Sequence, residues 1–547
     1  MKRGKHGLDG LLAAGVVVGA TAAFATVGAA GPPSGPTLTP VPSANVKAPG
    51  YAPPNNLSPE LTQVIVAQGS DALENPTQAV PTYGYDGDLL TPTGQPQMLP
   101  VPVTAPATPT EAHKTEPDKN AYLVFGNGLT GADSEYDYGT HFLFQGHEAG
   151  TPGYVTRINL DADAAHRVTL LGTEDSDGKA LPDFDGITWD PWAKKLLITS
   201  EGSLGGGVWS ADPGLPSTID NLSGSLGQGG YEGIQNDSDG NLWIVEDSGG
   251  SNKPGTVARR PNSFLFRFVP ENPGDLRHGK LQALQVLDAQ GTAITFDSQA
   301  AVDNPGQVAI HSYGNQLATR WVTIHDTATN GTTPYNANAL AKTAGATPFK
   351  RPENGLFRPD GKFREFYFDE TGDTNVTSVE NTTAGGWGAI QKLTQSGPSA
   401  DTGTLSLFYK SDGPHSGIDN VAFLSRNAIS FGQDASDGVH TTLGFDSAFV
   451  WDVTLDYSDT SNQPLRWLAQ GRDPSATIDA ANVGFGKNDQ DNEITGIHVS
   501  DGDPTAKGIV GAKSPDLRRG DGSWRWFYTQ QHGDNITWEV LLDKRGR

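Results

Sequence analysis

Cysteine is absent from the 547 residues of the chain. Its absence excludes disulfides, iron–sulfur clusters, thiolate zinc sites and cysteine nucleophiles. Basic residues are scarce, since 38 lysines and arginines face 63 acids and the formal net charge is −25. Nucleic acids are bound through basic patches, so this balance argues against a nucleic-acid partner. The surplus acid is either solubility charge or the counterpart of several bound divalent cations.

The standard catalytic signatures are missing as well. The sequence contains no G-x-S-x-G, no P-loop, no G-x-G-x-x-G and no H-E-x-x-H. Enzymes with a serine triad and enzymes that use nicotinamide are therefore disfavoured. Helix-like periodicity is rare, whereas glycine is abundant at 68 residues and aromatic residues occur in short runs. This combination predicts an all-β protein.

A long hydrophobic run occurs at the N-terminus, over residues 11–30. It follows a basic start at Lys2, Arg3 and Lys5 and contains small residues typical of cleavage sites. We predict a signal peptide over residues 1–30 and an exported protein that is secreted, periplasmic or held at the cell surface. The alternative is an uncleaved anchor, because a run of about 20 apolar residues can span a bilayer. Apart from this segment, we expect no membrane contact.

Proline, threonine, alanine and serine dominate much of the region that follows, residues 31–120. Stretches of this composition stay extended and cannot build a core. We interpret residues 31–120 as a low-complexity extension. Within it, residues 61–67 form an apolar island that is either an added strand or a packed segment. Residues 121–547 then form one globular domain without an internal linker, which we expect to be monomeric.

One pattern recurs along this domain. An acid opens an apolar run, a polar turn follows, and a second apolar run ends on another acid. The clearest copy opens at Glu232, turns at residues 236–241 and ends at Glu246. Turn-forming residues flanked by β-branched and aromatic ones predict a β-hairpin, with both glutamates at the same end of a sheet. Two carboxylates held so close need a proton or a cation between them.

The same pattern opens four more times, at Asp185, Glu353, Asp419 and Glu493. The irregular spacing of the copies excludes a solenoid and favours small antiparallel sheets arranged around a channel. We therefore predict an all-β fold, a β-propeller of six or seven blades with a central metal site. The alternative is that these acids have no shared function, because acidic residues are common at the strand starts and turns of all-β proteins.

Candidate ligands and basic side chains accompany these acids. Oxygen ligands in this number favour calcium. Arg351 stands two positions before Glu353, so both side chains can share one strand face. Arg260 precedes another predicted strand, and a planar guanidinium grips phosphate through paired hydrogen bonds. The alternative for both arginines is a surface ion pair. His147 and His532 stand near acids at predicted strand ends, where a structural role is the alternative.

Four segments resemble motifs of the PhoX-type alkaline phosphatases. They occur in the family's order, at residues 138–148, 351–355 (R-P-E-N-G), 492–496 (N-E-I-T-G) and 531–534 (Q-H-G-D). The corresponding family motifs typically read W-G-T…C-E-E, R-P-E-D-G, N-E-P-T-G and Q-H-P-G. The similarity extends from about residue 122 to the end of the chain. The chain thus resembles a cysteine-free, divergent relative of these secreted enzymes.

The resemblance implies a propeller phosphatase that hydrolyses small phosphate monoesters at a calcium and iron cluster. Arg351 becomes the catalytic phosphate clamp, and we assign Arg260 and His532 to substrate binding. The predicted metal ligands are His147, Glu148, Glu201, Glu232, Glu353 and Glu493. Because the family's iron-ligating cysteine is missing, either His147 replaces it or iron is absent. Calcium is therefore the expected cofactor.

Two other functions fit the same residues. One is a surface or scaffold propeller that calcium stabilises but that has no activity, and the missing cysteine favours it. The other is a different metal-dependent hydrolase on the same architecture, such as a lactonase or a phytase. Substrate profiling separates the second alternative from a phosphatase, because Arg351 is needed only where a phosphate is bound.

Overall fold

The computed structural model describes seven stretches of chain and the backbone of two short strands between them. The stretches are residues 35–46, 54–84, 115–148, 152–297, 302–471, 493–531 and 535–543, and the two strands lie at 103–105 and 108–110. The predicted signal peptide and His532 lie outside the described residues. Every helix in the described part is too short or too polar to traverse a bilayer.

Antiparallel sheets make up most of the described chain, which confirms the predicted all-β class. The strands before residue 115 are β1 (Asn56–Leu57), β2 (Leu61–Ala67), β3 (Val103–Ala105) and β4 (Thr108–Thr110). The first four-stranded sheet contains β5 (Pro117–Val124), β6 (His141–His147), β7 (Val155–Asn159) and β8 (Val168–Gly172). The second contains β9 (Ile187–Asp190), β10 (Lys195–Ser200), β11 (Gly207–Ala211) and β12 (Ile219–Asn221).

A nine-stranded sheet follows in the chain. Its first half contains β13 (Tyr231–Asn236), β14 (Leu242–Glu246), β15 (Leu265–Pro270), β16 (Gly279–Val286) and β17 (Leu317–Asp326). Its second half contains β18 (Gly355–Phe357), β19 (Glu365–Glu370), β20 (Ala389–Gln395) and β21 (Thr402–Lys410). The long strand β17 pairs with both β16 and β21 and so joins two four-stranded units.

The remaining strands belong to two further sheets. One contains β22 (Ile418–Phe423), β23 (Ala428–Gln433), β24 (Ser447–Asp452) and β25 (Leu465–Ala469). The other contains β26 (Ile494–Ser500), β27 (Arg525–Gln530) and β28 (Ile536–Leu542). The helices are short: α1 (Ser223–Leu226), α2 (Pro305–Ile310), α3 (Thr327–Asn330), α4 (Ala337–Thr343) and α5 (Asp437–Leu443). Single 3₁₀ segments lie at Ala164–His166, Ser378–Ala384, Gly413–His415, Ala506–Gly508 and Leu517–Arg519.

Two strands from the predicted extension complete the last two sheets. β1 pairs with β25, and β2 pairs with β28 along almost its whole length. Leu61 and Ala67, at the two ends of β2, are buried. The apolar island at residues 61–67 is therefore a strand, the first of its two predicted alternatives, and sheet structure begins before the predicted domain boundary at residue 121.

The sheets have a propeller-like arrangement around one axis. The first strand of each four-stranded unit, β5, β9, β13, β18, β22 and β26, contacts the next in this order, and β26 contacts β5. We call these the inner strands. In the β13–β14 hairpin Tyr231 lies opposite Glu246, so Glu232 and Glu246 stand at the same end of the sheet, as predicted. Both faces of β13 are buried, as expected for a strand covered by a neighbour on each side.

Aromatic side chains pack between neighbouring four-stranded units. Trp243 packs edge-on against Trp321 and Phe357, with ring centroids 5.1 and 4.8 Å apart. Trp467 packs on Trp526 at 4.5 Å, between the last two sheets. Large rings in edge-to-face contact bury much apolar area and fix the sheets relative to one another. These rings lie toward the ends of the inner strands, because Phe357 is the last residue of β18, Trp243 pairs with Gln235 near the end of β13, and Trp526 pairs with Val499 near the end of β26.

The two ends of the inner strands differ. The residues at their starts are acids, and we call this the acidic end. At the other, closed end, the final residues surround a cavity of about 40 Å³. The loop at residues 501–513 covers this cavity, and Trp189 Nε1 donates a 2.8 Å hydrogen bond to the carbonyl of Pro504 in that loop. Lys513, also in the loop, forms ion pairs with Asp501 and Asp503.

Candidate metal centre

Carboxylates from several sheets converge at the acidic end. Their ligand atoms form four overlapping groups of three, with all atoms of a group within 4.8 Å of one another. The groups are Asp118–Glu148–Asp185, Asp185–Glu201–Glu232, Glu201–Asp247–Glu353 and Glu232–Glu353–Asp419. Because shared members link the groups, these eight side chains form one continuous set within the described residues. We call it the acidic cluster.

Hairpin geometry explains which acids meet. Some stand at the start of an inner strand or just before it, as Glu232 does in β13 and Glu353 does before β18. Others follow the second strand of a sheet, as Glu201 does after β10. Antiparallel pairing returns the second strand to the start of the first. The Glu201 N–H accordingly donates a 3.1 Å hydrogen bond to Asp185 Oδ2 across the hairpin mouth.

The glycine after an entry acid lets neighbouring inner strands approach. The Gly233 N–H donates a 2.8 Å hydrogen bond to the Glu353 carbonyl of the next inner strand. A Cβ at Gly233 would lie 2.9 Å from that same oxygen. A Cβ at Gly186 would collide with the Glu232 carbonyl. Only glycine permits this distance, so the acid-glycine pairs that marked the sequence pattern also bring the carboxylates together.

The electrostatic environment disfavours bare negative charge. Burial raises the pKa of Glu232 and Glu353 well above the usual range, and neighbouring carboxylates raise it further. Burial, and to a smaller extent the neighbouring carboxylates, raises the pKa of Glu148 to about 8. Carboxylates that share a buried site keep protons or take up a cation. The acidic cluster therefore has the charge distribution of a site for cations.

Unpartnered oxygen atoms test whether a metal fits. Asp185 Oδ1, Asp247 Oδ1 and Asp369 Oδ2 are buried and have no hydrogen-bond partner in the described part of the chain. Leaving such an atom unpaired costs free energy, about 1–3 kcal/mol or more for a charged group. A hard cation removes this cost, and calcium takes six to eight oxygen ligands. The donor set therefore fits the calcium that the family resemblance implies.

Arg351 lies at the edge of the acidic cluster. Its Nε and Nη2 each lie 2.7 Å from Asp247 Oδ2, and Nη2 lies 3.2 Å from Glu353 Oε1. Burial alone would lower the pKa of Arg351, but these two acids raise it well above its usual range. Its backbone has a φ of 54°, in the left-handed region that non-glycine residues rarely adopt. A fixed cation is thus held beside Glu353, but Arg351 lies before β18 and not on the shared strand face that the i, i+2 spacing predicted.

A second cation, Lys119, is enclosed beneath the cluster. It is 5% exposed, and its Nζ donates a hydrogen bond to Asn354 Oδ1. Asn354 in turn donates to Asp419 Oδ1 at 3.1 Å. Sequence reasoning missed both Lys119 and Asp118. A usable signal existed, because Asp118 precedes an apolar run as the other entry acids do, but the proline-rich surroundings assigned it to the extension.

Hydroxyl and amide groups orient the carboxylates from behind. Thr371 donates to Glu353 Oε1, and Thr495 donates to Asp118 Oδ1. Gln531 Nε2 donates to Glu148 Oε2 at 3.0 Å. Such supporting bonds fix the direction of ligand oxygens and tune their basicity. Thr495 and Gln531 lie far along the chain from the acids that they contact, so no local pattern identified them as partners.

Four of the predicted ligands, Glu148, Glu201, Glu232 and Glu353, lie in the acidic cluster. Glu493 stands directly before β26, and its backbone carbonyl accepts a 3.1 Å hydrogen bond from the Gln531 N–H. Burial raises the pKa of Glu493 well above the usual range, and nearby acids, including Glu148, add to the effect. Glu493 therefore lies in the field of the cluster.

The structure places His147 apart from the grouped acids. Its Nδ1 lies 3.1 Å from Thr115 Oγ1 and its Nε2 lies 2.9 Å from Thr156 Oγ1. The ring stacks on Tyr154 at 4.0 Å between centroids. Burial holds the pKa of His147 well below its usual range, so the ring is neutral. Both ring nitrogens thus contact hydroxyl groups, and the ligand role stays a prediction.

Arg260 and Glu246 also have other partners. Arg260 Nη1 donates to Ser251 Oγ at 3.3 Å and to the Asn252 carbonyl at 3.2 Å. Glu246 Oε2 accepts hydrogen bonds from the Phe264 N–H and from Asn338. Glu246 ends β14 as predicted, but it belongs to none of the acid groups found among the described residues.

Comparison with protein families gives one match. The model of the family described as alkaline phosphatase PhoX matches residues 256–440. This match confirms the resemblance to PhoX. Arg351, Glu353 and Asp419 lie inside the matched segment. No curated protein sequence matches the chain.

Solved structures extend the similarity beyond that segment. Pseudomonas fluorescens PhoX in complex with vanadate, a transition state analogue, has a TM-score of 0.53 at 11% identity, over 92% of this chain and 98% of that one. A gluconolactonase from Xanthomonas campestris has a TM-score of 0.35 at 11% identity, over 92% and 99%. A putative 6-phosphogluconolactonase from Bacteroides uniformis has 0.28 at 9% identity, over 78% and 98%. The first of these shows that the chain shares the PhoX fold.

Proposed function

We propose that the chain is an exported, metal-dependent phosphoesterase that hydrolyses small phosphate monoesters at the acidic cluster. One observation carries this proposal: a continuous buried set of carboxylates lies against a fixed arginine, in a fold shared with PhoX. The contacts that run from β5 through each inner strand and back to β5 support a count of six blades. We further propose that the protein is a monomer.

The eight carboxylates of the acidic cluster would hold calcium. When bound, calcium supplies positive charge that offsets the charge of the phosphoryl oxygens and stabilises the transition state. The chain's own contribution is to keep the ligand oxygens in place before substrate arrives. Thr371 and Gln531 do this by donating to Glu353 and Glu148. Iron has no thiolate to bind here, so we propose calcium as the principal metal.

Arg351 would bind the non-bridging oxygens of the phosphate. Asp247 and Glu353 fix two sides of the guanidinium, whereas Nη1 donates only a long hydrogen bond, 3.4 Å, to Thr374 Oγ1. Nη1 can therefore donate to a phosphate oxygen instead, because it gives up only the long hydrogen bond to Thr374. A planar guanidinium donates paired, charge-assisted hydrogen bonds to phosphate. Arg260 and His532 remain proposed substrate-binding residues.

Hydrolysis of 4-nitrophenyl phosphate by the purified full chain tests the proposal. After chelation we expect no turnover, and we expect added calcium to restore it. Parallel samples receive magnesium, or calcium together with iron, to identify the active metal. Calcium binding without turnover in any metal condition would leave the scaffold alternative. Hydrolysis of a lactone without hydrolysis of the phosphate ester would support the lactonase alternative.

A further inference from the structure

A basic segment, residues 248–263, joins β14 to β15 and starts directly after the cluster residue Asp247. It contains three cations, Lys253, Arg259 and Arg260, and no acid, in a chain whose net charge is −25. Because β14 ends at the acidic end, the segment begins there too. A site that binds only cations gains nothing from positive charge beside it, so this charge indicates an anionic ligand.

The segment folds back on itself, and we call it the basic hairpin. Asn252 pairs with Arg259, and the Arg260 N–H donates a 3.0 Å hydrogen bond to the Ser251 carbonyl. Successive side chains of a paired, extended chain point to opposite faces. Arg260 Nη1 donates to Ser251 and Asn252 within the hairpin. Arg259 is therefore the arginine on the other face.

One loop contacts both Arg259 and Arg351. Asp373 Oδ1 accepts a 2.9 Å hydrogen bond from the Arg259 N–H. The next residue, Thr374, accepts the 3.4 Å hydrogen bond from Arg351 Nη1. Consecutive residues have Cα atoms only about 3.8 Å apart. The two arginines are therefore attached to neighbouring positions of the same loop.

The guanidinium of Arg259 also lies near the segment that holds Arg351. Its Nη1 is beside Gly249, where a Cβ would lie 2.9 Å from this nitrogen. Gly249 stands two residues after Asp247, whose Oδ2 accepts a 2.7 Å hydrogen bond from Arg351 Nε. Both guanidinium groups thus lie along residues 247–249.

Arg259 differs from Arg351 in having no acceptor for its guanidinium. The residue is half-buried, and within the described part of the chain its side chain forms no hydrogen bond and no ion pair. Asp373, which accepts from its backbone, pairs instead with Lys350 at 3.2 Å. A guanidinium has five donors and binds carboxylate or phosphate through paired hydrogen bonds. These donors are available to an anionic ligand.

We propose that Arg259 binds a second anionic group of the substrate, next to the phosphate that Arg351 holds. The preferred substrates are then small phosphate monoesters whose alcohol part carries a carboxylate or another phosphate. The inference rests on the proposed function, since it assigns the substrate class of that same site. Arg259 takes no part in breaking the ester bond and acts on the group that leaves with the alcohol.

Esters of similar size test this preference. Phosphoglycolate carries a carboxylate where ethyl phosphate has a methyl group, and the bisphosphate of ethylene glycol carries a second phosphate. We expect the calcium-loaded parent to hydrolyse at least one anionic ester with a kcat/KM about 10-fold or more above that of ethyl phosphate. In Arg259→Met, the ratio of the two kcat/KM values should fall by roughly 10- to 100-fold, the effect of losing hydrogen bonds between charged groups.

Two further variants separate the position of Arg259 from the charge of the hairpin. Lys253→Met is the matched control, because it removes one positive charge from an exposed position of the same hairpin. It should keep the ratio of the parent. Gly249→Ala places a Cβ 2.9 Å from Arg259 Nη1 and so displaces the guanidinium without removing its charge. We expect it to lower the ratio, even if Arg259→Met fails to fold.

The outcomes distinguish the two proposals. A parent that hydrolyses none of the three esters contradicts the proposed function and this inference with it. A parent that hydrolyses ethyl phosphate as well as the anionic esters overturns the inference alone. An equal fall of the ratio in Arg259→Met and Lys253→Met would also overturn it, because the charge of the hairpin would then explain the preference. An advantage confined to one anionic ester supports the inference and identifies the second group as carboxylate or phosphate.

Discussion

The same inner strands present opposite chemistry at their two ends. β22 begins beside Asp419 in the acidic cluster and ends at Phe423 in the wall of the closed-end cavity. Carboxylates with unpartnered oxygens lie at one end, and aromatic and aliphatic side chains pack at the other. The carboxylates at the acidic end repel one another. Because neighbouring strands hold each inner strand along its whole length, the apolar packing at the closed end can offset this repulsion. Functional sites commonly carry such a penalty, offset elsewhere in the structure.

At the closed end, the protein itself satisfies one buried ring nitrogen. His498 Nε2 accepts a 3.2 Å hydrogen bond from the Tyr122 N–H. Burial, helped by the charge of Lys119, lowers the pKa of His498 to about 3. This histidine is therefore neutral at physiological pH. This nitrogen is satisfied without a cation, whereas unpartnered carboxylate oxygens such as Asp185 Oδ1 lie at the acidic end.

Removing a shared carboxylate should have the largest effect. Glu353→Gln takes charge from two of the four acid groups and from Arg351. We expect loss of calcium at the cluster and a fall in phosphate-ester turnover of about 100-fold or more, the range seen when a key electrostatic group is removed. Glu365→Gln is the control, since Glu365 pairs with Arg358 at 2.8 Å outside the acidic cluster. Equal activity of the two variants would refute the role of the cluster.

Arg351→Ala should have the second largest effect on phosphate-ester turnover. The change removes the proposed phosphate donor and leaves Asp247 and Glu353 without their cation. We expect kcat/KM for a phosphate ester to fall by roughly 100-fold, because charge-assisted bonds to the transferred group are lost. Lactone hydrolysis, if present, should change little. Arg358→Ala serves as the control, and a parent-like rate in Arg351→Ala would exclude phosphate binding by this side chain.

Glu370 tests a carboxylate at the acidic end that the protein does satisfy. Its oxygens accept hydrogen bonds from Gln391 and the Lys350 N–H, both at 2.8 Å, and it pairs with His311 at 3.2 Å. Burial raises the pKa of Glu370, but the ion pair and hydrogen bonds outweigh burial and lower it overall. A lowered carboxyl pKa stabilises the fold above the unfolded pKa, roughly 4.3, and this stability is lost as pH falls through the folded pKa.

Glu370→Gln should therefore destabilise the protein at pH 7 by about 1–3 kcal/mol, the contribution of hydrogen bonds to a charged group. The difference from the parent should shrink as the pH falls below roughly 4.3. Denaturant unfolding at several pH values, at a constant calcium concentration, measures the difference in unfolding free energy between the variant and the parent. The exposed Glu380→Gln variant is the control. A difference that is constant with pH would mean that shape, not charge, explains the contribution of Glu370.

The smallest effect is expected at the closed end. Trp189→Phe removes the hydrogen bond to the Pro504 carbonyl but retains a ring against Phe125, whose centroid lies 5.5 Å away. We expect a loss of about 1 kcal/mol in unfolding free energy, the usual net contribution of one hydrogen bond. Calcium binding should not change. A change in calcium affinity would show that the two ends are coupled.

Local patterns predicted some of the fold and the site, because they depend on neighbouring residues. The β13–β14 hairpin follows from its turn and from strand propensity. The contact between Arg351 and Glu353 does not follow from a shared strand face, because both residues precede β18 and Arg351 has a left-handed backbone. The pairing between β2 and β28 could not be predicted, because the sequence of residues 61–67 does not indicate which distant strand will pair with them. The pairing of β17 with β21, which joins two four-stranded units, could not be predicted for the same reason.

The candidate ligands divide in the same way. Glu201, Glu232 and Glu353 stand at the mouths of predicted hairpins, whereas Glu148 was identified from the resemblance to the C-E-E motif. The position of His147 depends on Thr115 and Thr156, whose hydroxyls meet its nitrogens only in the folded sheet. Composition also obscured a ligand, because the proline-rich stretch before residue 115 concealed the start of β5.

The sequence by itself determined that acids would stand at strand starts and hairpin mouths, because turn chemistry and strand propensity act over a few residues. The tertiary structure alone decided which oxygens share a position and which cations lie among them. Closing the circle of inner strands brings a carboxylate oxygen of Asp419 within 4.8 Å of oxygens of Glu232 and Glu353. Distances of that kind depend on packing of whole sheets, which no local pattern encodes.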